Sequence, residues 1–377
     1  MTRPHKSPNR SYTSPSLRSP RRVHSVSQRV SEVIANFRPT KLFKSSGLHY
    51  TSVDFDDSGE LLLLARTDDT LQLYNTKAGA HAKELKSQKY GCALARFTHH
   101  AQSLIYASTK IDDGIRYLST HDNSYVRYFR GHTGRVTSLS LCPGNDTFLS
   151  ASQDHSVKLW DLRSSSPQGN LNLHGATLTA YDPSATVIAI ASPPTQTVLL
   201  YDLRNFDKPP FATFDLLEAE RRFAQSHGQR PAEGWTTLEF SNNGKHLLLG
   251  TSGQGHYVID AFDGDVKSYL HRPPGPPPFP AELTAKDGTP PRHNTAGLQG
   301  DACFSPDGRY VISASAQTGL LVWDTMGEKR GGTTVLAPMT DLPGPKTATV
   351  VGYNPRHNLL ASAGNDLAIW LPDPDLM

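Results

Sequence analysis

The sequence predicts an all-β ring of seven four-stranded blades, and three observations predict it. The stretch from Gly131-His132 through Val136-Thr-Ser-Leu-Ser-Leu141, Asp146, Phe148-Leu-Ser150 and Asp154 to Val157-Lys-Leu-Trp-Asp161 carries a Gly-His…Trp-Asp pattern, with the Trp 28 residues after the His and an Asp six before the Trp. This is the signature of one blade of a WD-repeat β-propeller. Second, the strand ends Tyr74, Leu118, Trp160, Tyr201, Ile259, Trp323 and Trp370 follow one another at steps of 44, 42, 41, 58, 64 and 47 residues. Most of these steps are single-blade periods. Third, Asp57-Ser-Gly59, Asn242-Asn-Gly244 and Pro306-Asp-Gly308 are hairpin turns placed where the first two strands of a blade reverse.

Taken in order, residues 1–32 are rich in Ser, Pro and Arg, with seven basic residues against Glu32 as the only acid. Such a segment buries too little apolar surface to offset its ordering entropy, so 1–32 is expected to be a disordered basic tail. Its Ser7-Pro8, Ser14-Pro15 and Ser19-Pro20 steps suit proline-directed phosphorylation or a plain solvated tail. The propeller is expected over 33–377, with loop insertions near 217–233 and 271–300. Blade one runs from Val53 to Tyr74, blade two from Leu94 to Phe129, and blade three is the opening stretch. Blade four spans Ala180 to Asp202, blade five Trp235 to Asp260, blade six Ala302 to Asp324 and blade seven Val350 to Trp370. Phe37-Arg-Pro-Thr-Lys-Leu-Phe43 is predicted to supply the outer strand of blade seven, because an open ring would leave unpaired edges. Residues 33–45 are then needed for ring stability and 1–30 are not. The run Arg272-Pro-Pro-Gly-Pro-Pro-Pro-Phe-Pro280 favours polyproline II within a surface loop.

Composition excludes several classes. Cys92, Cys142 and Cys303 are isolated and odd in number, which argues for a reducing compartment and against a disulfide framework or a zinc site. No apolar run approaches the length of a membrane span and no signal core opens the chain, so a soluble, intracellular protein is expected, without membrane or cofactor. Of the 38 basic and 35 acidic residues, those after the tail number 31 and 34, so the ring is no polyanion binder and no sequence-specific nucleic-acid contact is expected of it.

His132, a strand hydroxyl such as Ser150 or Ser152, Asp154 and the Trp160 indole are predicted to form one buried hydrogen-bond chain. A Ser-His-Asp catalytic triad would not need the Trp or the blade pattern, so no catalytic residue is assigned. His99-His100 lacks a third ligand at metal spacing and reads as a turn; Gly253-Gln-Gly255 reads as a tight strand connection rather than a phosphate loop.

From Lys89-Tyr-Gly91 through Lys110-Ile-Asp-Asp113, Ile115-Arg-Tyr-Leu-Ser-Thr-His-Asp-Asn123, Arg127-Tyr-Phe129, Trp160-Asp-Leu-Arg163, Tyr201-Asp-Leu-Arg204 and Phe206 to Phe214, the wording is closer than a generic propeller. It resembles the Swd-two-type WD-repeat subunit shared by the COMPASS histone lysine methyltransferase complex and, in fungi, the cleavage and polyadenylation factor. Phe240-Ser-Asn, Ile259-Asp-Ala-Phe262 and Ala368-Ile-Trp-Leu-Pro372 extend the resemblance. It implies a nuclear, non-catalytic scaffold that docks segments of the methyltransferase subunit and of a 3′-end-processing subunit, and helps reach RNA polymerase II with a phosphorylated C-terminal domain.

Loops joining the fourth strand to the next blade, and the second strand to the third, gather on one face of a propeller. Lys89, Tyr90, Lys110, Arg116 and Arg135 are expected at that rim, suited to an acidic or phosphorylated extended peptide. The alternative is a cullin-RING ligase substrate receptor, in which Arg163 and Arg204 would touch the adaptor.

Overall fold

The computed structural model describes residues 26–226, 234–253, 255–273, 301–315, 318–326 and 334–374. Seven antiparallel sheets are formed by them, and strands within a blade are called a to d from the channel outward. Blade three is made of Val136–Leu141, Thr147–Ser152, Ser156–Asp161 and Gly169–Asn172. Blade two holds Ala93–Phe97, Ser103–Ala107, Ile115–Ser119 and Tyr125–Phe129; blade one holds Tyr50–Phe55, Leu61–Arg66, Thr70–Asn75 and Ala80–Lys86. The predicted closure is present. Phe37–Lys44 pairs antiparallel with Asp366–Pro372, from Phe37 opposite Pro372 to Lys44 opposite Asp366, and so forms strand d of blade seven.

Alternation along each strand sends apolar side chains into the gaps between blades, and each of the seven gaps has its own buried cluster. Tryptophan enters four of them, Trp235 lying in the four–five gap. Trp160 packs with Phe129 and Phe148 between blades two and three; Trp323 and Trp370 lie in the five–six and six–seven gaps.

The inner strands enclose a channel of about 890 Å³. Side chains stitch them across the gaps where a backbone ladder cannot. Ser52 Oγ accepts the Ala95 N–H, Asp54 the Phe97 N–H, Ser138 Oγ the Thr179 N–H, Glu239 the Phe304 N–H and Asp301 the Val351 N–H, all at 2.7–3.1 Å. Burial raises the Asp54 carboxyl to about 6 and the Glu239 carboxyl to about 8.

Three features differ from the sequence expectation. Residues 26–32, assigned to the disordered tail, belong to helix α1 (Val26–Ala35), because Val30, Val33 and Ile34 form a stripe that packs on the six–seven cluster; residues 1–25, with the three Ser-Pro steps, lie outside the described residues. The insertion at 217–233 opens with helix α2 (Leu217–Ser226) rather than a loop. Asp215 accepts the Leu217 N–H at 2.9 Å, Glu218 and Glu220 suit the first turn, and Phe223 stacks on Tyr269 at 4.5 Å. Thr334–Leu336, on the way from strand c to strand d of blade six, crosses to blade five and adds a parallel fifth strand beside Val266–His271. The polyproline reading falls mostly in 274–300, outside the described residues.

Candidate functional site at the blade two rim

Lys89 and Tyr90 lie in the connection from blade one to blade two, Lys110 in the b–c loop of blade two, and Arg135 just before blade three. They share the face formed by d–a and b–c loops. The carbonyl of Tyr90 holds the b–c loop by accepting from the N–H groups of Thr109 (3.0 Å) and Lys110 (2.8 Å). Gly91, at φ +70°, permits this approach, since a Cβ there would overlap the Thr109 hydroxyl. The tip of the loop presents Ile111, 73 % exposed at φ +69°, a backbone conformation unfavourable for a β-branched residue.

The expected rim cations are not equivalent. Lys110 Nζ is paired with Asp69 of blade one. Arg135 is partly buried, which pulls it below its ordinary value, and Asp113 opposes that shift. Lys89 is exposed, with its ammonium 5.1 Å from the Tyr90 ring centroid. Arg116 requires correction: it is fully buried, not a rim contact. As a residue of strand c opposite Tyr128, it is turned into the sheet face, where Nε donates to Ser108 Oγ at 3.0 Å and Nη2 pairs with Asp112. Its guanidinium is sandwiched 4.0 Å from the Tyr90 ring and 4.7 Å from the Tyr128 ring.

Around it stands an aromatic cluster that the sequence reading missed. Tyr125 and Tyr128 stack at 5.3 Å, and Tyr90 meets Tyr125 edge-on at 5.4 Å. An irregularity in the pairing of strands c and d, where Leu118 faces Tyr125 but Tyr117 faces Arg127, sets both tyrosines on one side. Arg130 lies 5.7 Å from the Tyr128 ring. The available signal was the three aromatics within Tyr125-Val-Arg-Tyr-Phe129. The assembled rim offers amphipathic rings with partly neutralised cations, a surface suited to an extended acidic segment.

The blade three residues form a closed interior network. His132 reaches Asp154 from Nδ1 at 2.9 Å and Ser150 Oγ from Nε2 at 2.7 Å, and the Trp160 indole donates to the same Ser150 Oγ at 2.8 Å. His132 and Asp154 are buried side chains, 1 % and 8 % exposed, so no substrate reaches them. Burial would raise Asp154, but hydrogen bonds from Ser156, the Thr133 N–H and His132 outweigh it and hold the carboxyl far below its usual range. Burial pulls His132 below its ordinary value against the effect of Asp154.

Arg163 lies in an exposed turn, but its guanidinium is bidentate to Asp161 of its own blade, at 3.0 and 2.8 Å. Arg204 is exposed and its backbone N–H is held by Asp202. The adaptor reading thus gains no support from Arg163. His99 bridges Asp57 of blade one and the Cys142 carbonyl of blade three, both at 2.8 Å, consistent with the turn. Among the described residues no three His, Cys, Asp or Glu side chains converge as metal ligands.

Comparison with known proteins gives the same architecture and a narrower kinship. The WD domain, G-beta repeat family matches residues 123–161 and 290–324. The chain is 37 % identical to WD repeat-containing protein 82 of Drosophila melanogaster, over 91 % of this chain and 96 % of that protein. It is 35 % identical to the Set1 complex component swd2 of Schizosaccharomyces pombe, covering 90 % and 98 %, and 35 % identical to the COMPASS component SWD2 of Saccharomyces cerevisiae, covering 86 % and 91 %.

Proposed function

The chain belongs to the Swd2-type family of WD-repeat proteins, and from that premise we propose that it is a non-catalytic scaffold subunit of a COMPASS-type histone methyltransferase complex in the nucleus. The observation that carries this reading is near full-length similarity, at 35 % identity, to two proteins named as components of Set1 or COMPASS complexes. A rigid ring with an exposed aromatic and cationic rim is suited to holding a segment of a larger subunit.

The finer parts of the reading extend from the same premise. The rim around Lys89, Tyr90, Lys110 and Arg135 captures an acidic or phosphorylated extended segment, and Arg116 positions Tyr90 and Tyr128 from below. A second assembly, the cleavage and polyadenylation factor, shares the subunit, and phosphorylated RNA polymerase II is a ligand of the complex. The network His132, Ser150, Asp154 and Trp160 serves the architecture.

Affinity purification of the tagged full chain from its native cells, followed by mass spectrometry, tests the assignment. A histone methyltransferase is the expected partner; its absence, or a cullin adaptor in its place, overturns the reading. Exchange of Lys110 and Arg135 for Glu together is expected to remove partner capture without unfolding the ring, checked by circular dichroism of the variant. Unchanged capture would refute the rim as the docking surface.

A further inference from the structure

On the same face as the rim, but at the junction of blades five and six, a buried cluster has more hydrogen-bond donors than acceptors. His256 and Ser313 are fully buried, and Arg272 follows the outer strand of blade five into this gap. The Thr251 N–H approaches His256 Nδ1 at 3.2 Å, while Arg272 Nη2 approaches His256 Nε2 at 2.8 Å and Ser313 Oγ at 3.2 Å. A neutral imidazole has one N–H and one lone pair. Whichever ring nitrogen holds the proton, one incoming N–H therefore finds no lone pair to meet.

Two further donors are buried without a partner, Arg272 Nε and the Trp323 indole Nε1. Trp323 is fully buried and meets the His256 ring edge-on, with centroids 5.9 Å apart, so these donors belong to one site. Ser313 Oγ does not relieve them, because it is already engaged with His256 and donates to the Asp301 carbonyl at 3.0 Å. Among the described residues no carboxylate pairs with Arg272. Burial pulls its guanidinium down to about 10 and pushes His256 well below its ordinary value, both consistent with positive charge short of a counterion.

Blade three shows what is lacking. There a carboxylate, Asp154, stands six residues before the Trp and closes the chain. In blade six that position is Gln317, outside the described residues but neutral by its sequence. A buried guanidinium, two unpartnered N–H groups and no acid among the described residues call for one negatively charged acceptor.

We propose that the blade five–six junction is an oxyanion-binding site, in which Arg272 and the Trp323 indole N–H bind a phosphate-type or carboxylate oxygen presented at the loop face. Arg272 as a whole is half-buried and is followed directly by the exposed Pro273. The guanidinium supplies the charge and a fork of donors; Trp323 supplies a neutral donor from the core.

The four tryptophans make the test direct. The full chain is titrated separately with inorganic phosphate and with acetate at fixed ionic strength, against chloride, while the indole N–H resonances are followed by nuclear magnetic resonance. Saturable movement of the Trp323 resonance is expected, with Trp160 and Trp370 unmoved because both are bonded within their own blades. A response to phosphate assigns a phosphoryl group as the source, and a response to acetate a carboxylate. Arg272→Gln should weaken the response at least ~10-fold, the loss of one charge-assisted hydrogen bond, and Arg272→Lys should weaken it less. If Trp323 fails to respond to either anion, or responds equally in Arg272→Gln with the fold intact, the site is overturned.

Discussion

Blades three and six spend the same residue types on different problems. In blade three the hydroxyl of Ser150 takes the Trp160 indole and His132, and Asp154 takes the other ring nitrogen of the histidine, so every buried donor in that network has an acceptor. In blade six Ser313 stands at the matching position, yet its hydroxyl meets His256 and Arg272 from blade five and the Trp323 indole goes without. A repeat pattern therefore preserves the shape of a blade more faithfully than it preserves the blade's polar interior. In blade six the neighbouring blade brings a cation, Arg272, to the serine instead, and among the described residues no acid accompanies it.

The sharpest way to break this contrast is to remove the two hydroxyls in turn. Ser150→Ala strands both the His132 Nε2 group and the Trp160 N–H in a closed interior, and should cost about 3 kcal/mol. Ser313→Ala removes an acceptor that the Trp323 indole does not use and leaves His256 and Arg272 still in contact with each other at 2.8 Å, so it should cost about half as much. Urea denaturation of both variants decides it; equal losses would mean that the two interiors are energetically alike.

The second test concerns the acid that joins blade six to its neighbour. Glu239 accepts the Phe304 N–H from within the channel, and its folded carboxyl is raised to about 8. A raised carboxyl favours the folded state at low pH, and its contribution is lost as pH climbs from the ordinary range near 4 through the folded value. The native chain should accordingly lose on the order of 2 kcal/mol between pH 5 and 8, a figure reduced from the full shift because Glu239 faces the channel. Glu239→Gln should flatten that slope. An unchanged slope in denaturant melts across this range would remove Glu239 from the account.

A smaller effect of opposite sign is expected in blade three. Asp154 has a lowered folded value, so its contribution is present above about pH 4 and disappears as pH falls below it. Asp154→Asn should cost about 1 kcal/mol at pH 7 and progressively less below pH 4. A penalty that stays constant with pH would show that the carboxylate charge does not matter to the network.

Much of the ring was legible because its information is local and periodic. Trp160, Trp323 and Trp370 mark strand ends, and Asp-Gly or Asn-Gly turns mark reversals. The closing strand was legible from the need to cover an edge. Helix α1 was not, since Val30, Val33 and Ile34 are few among Ser, Arg and Glu and their apolar stripe has meaning only beside the six–seven gap. Thr334–Leu336 is three residues long, too short for its pattern to announce a partner in another blade. At the rim, Lys89, Lys110 and Arg135 were placed on the right loops, whereas Arg116 was misjudged because charge alone argues for solvent. Its burial depends on Tyr90 arriving from the loop between blades one and two and Tyr128 from strand d. The missing acid at Gln317 could be read from sequence; the arrival of Arg272 and His256 could not, since both come across a blade boundary.

The closing strand also fixes where the ring's two ends emerge. Phe37 lies opposite Pro372, so whatever precedes the first strand and whatever follows the last leave from the same outer edge of the disc. Helix α1 leads into that edge along the six–seven border. A tether fused at either end of the ring is thus anchored on blade seven, by a strand that is itself part of the fold.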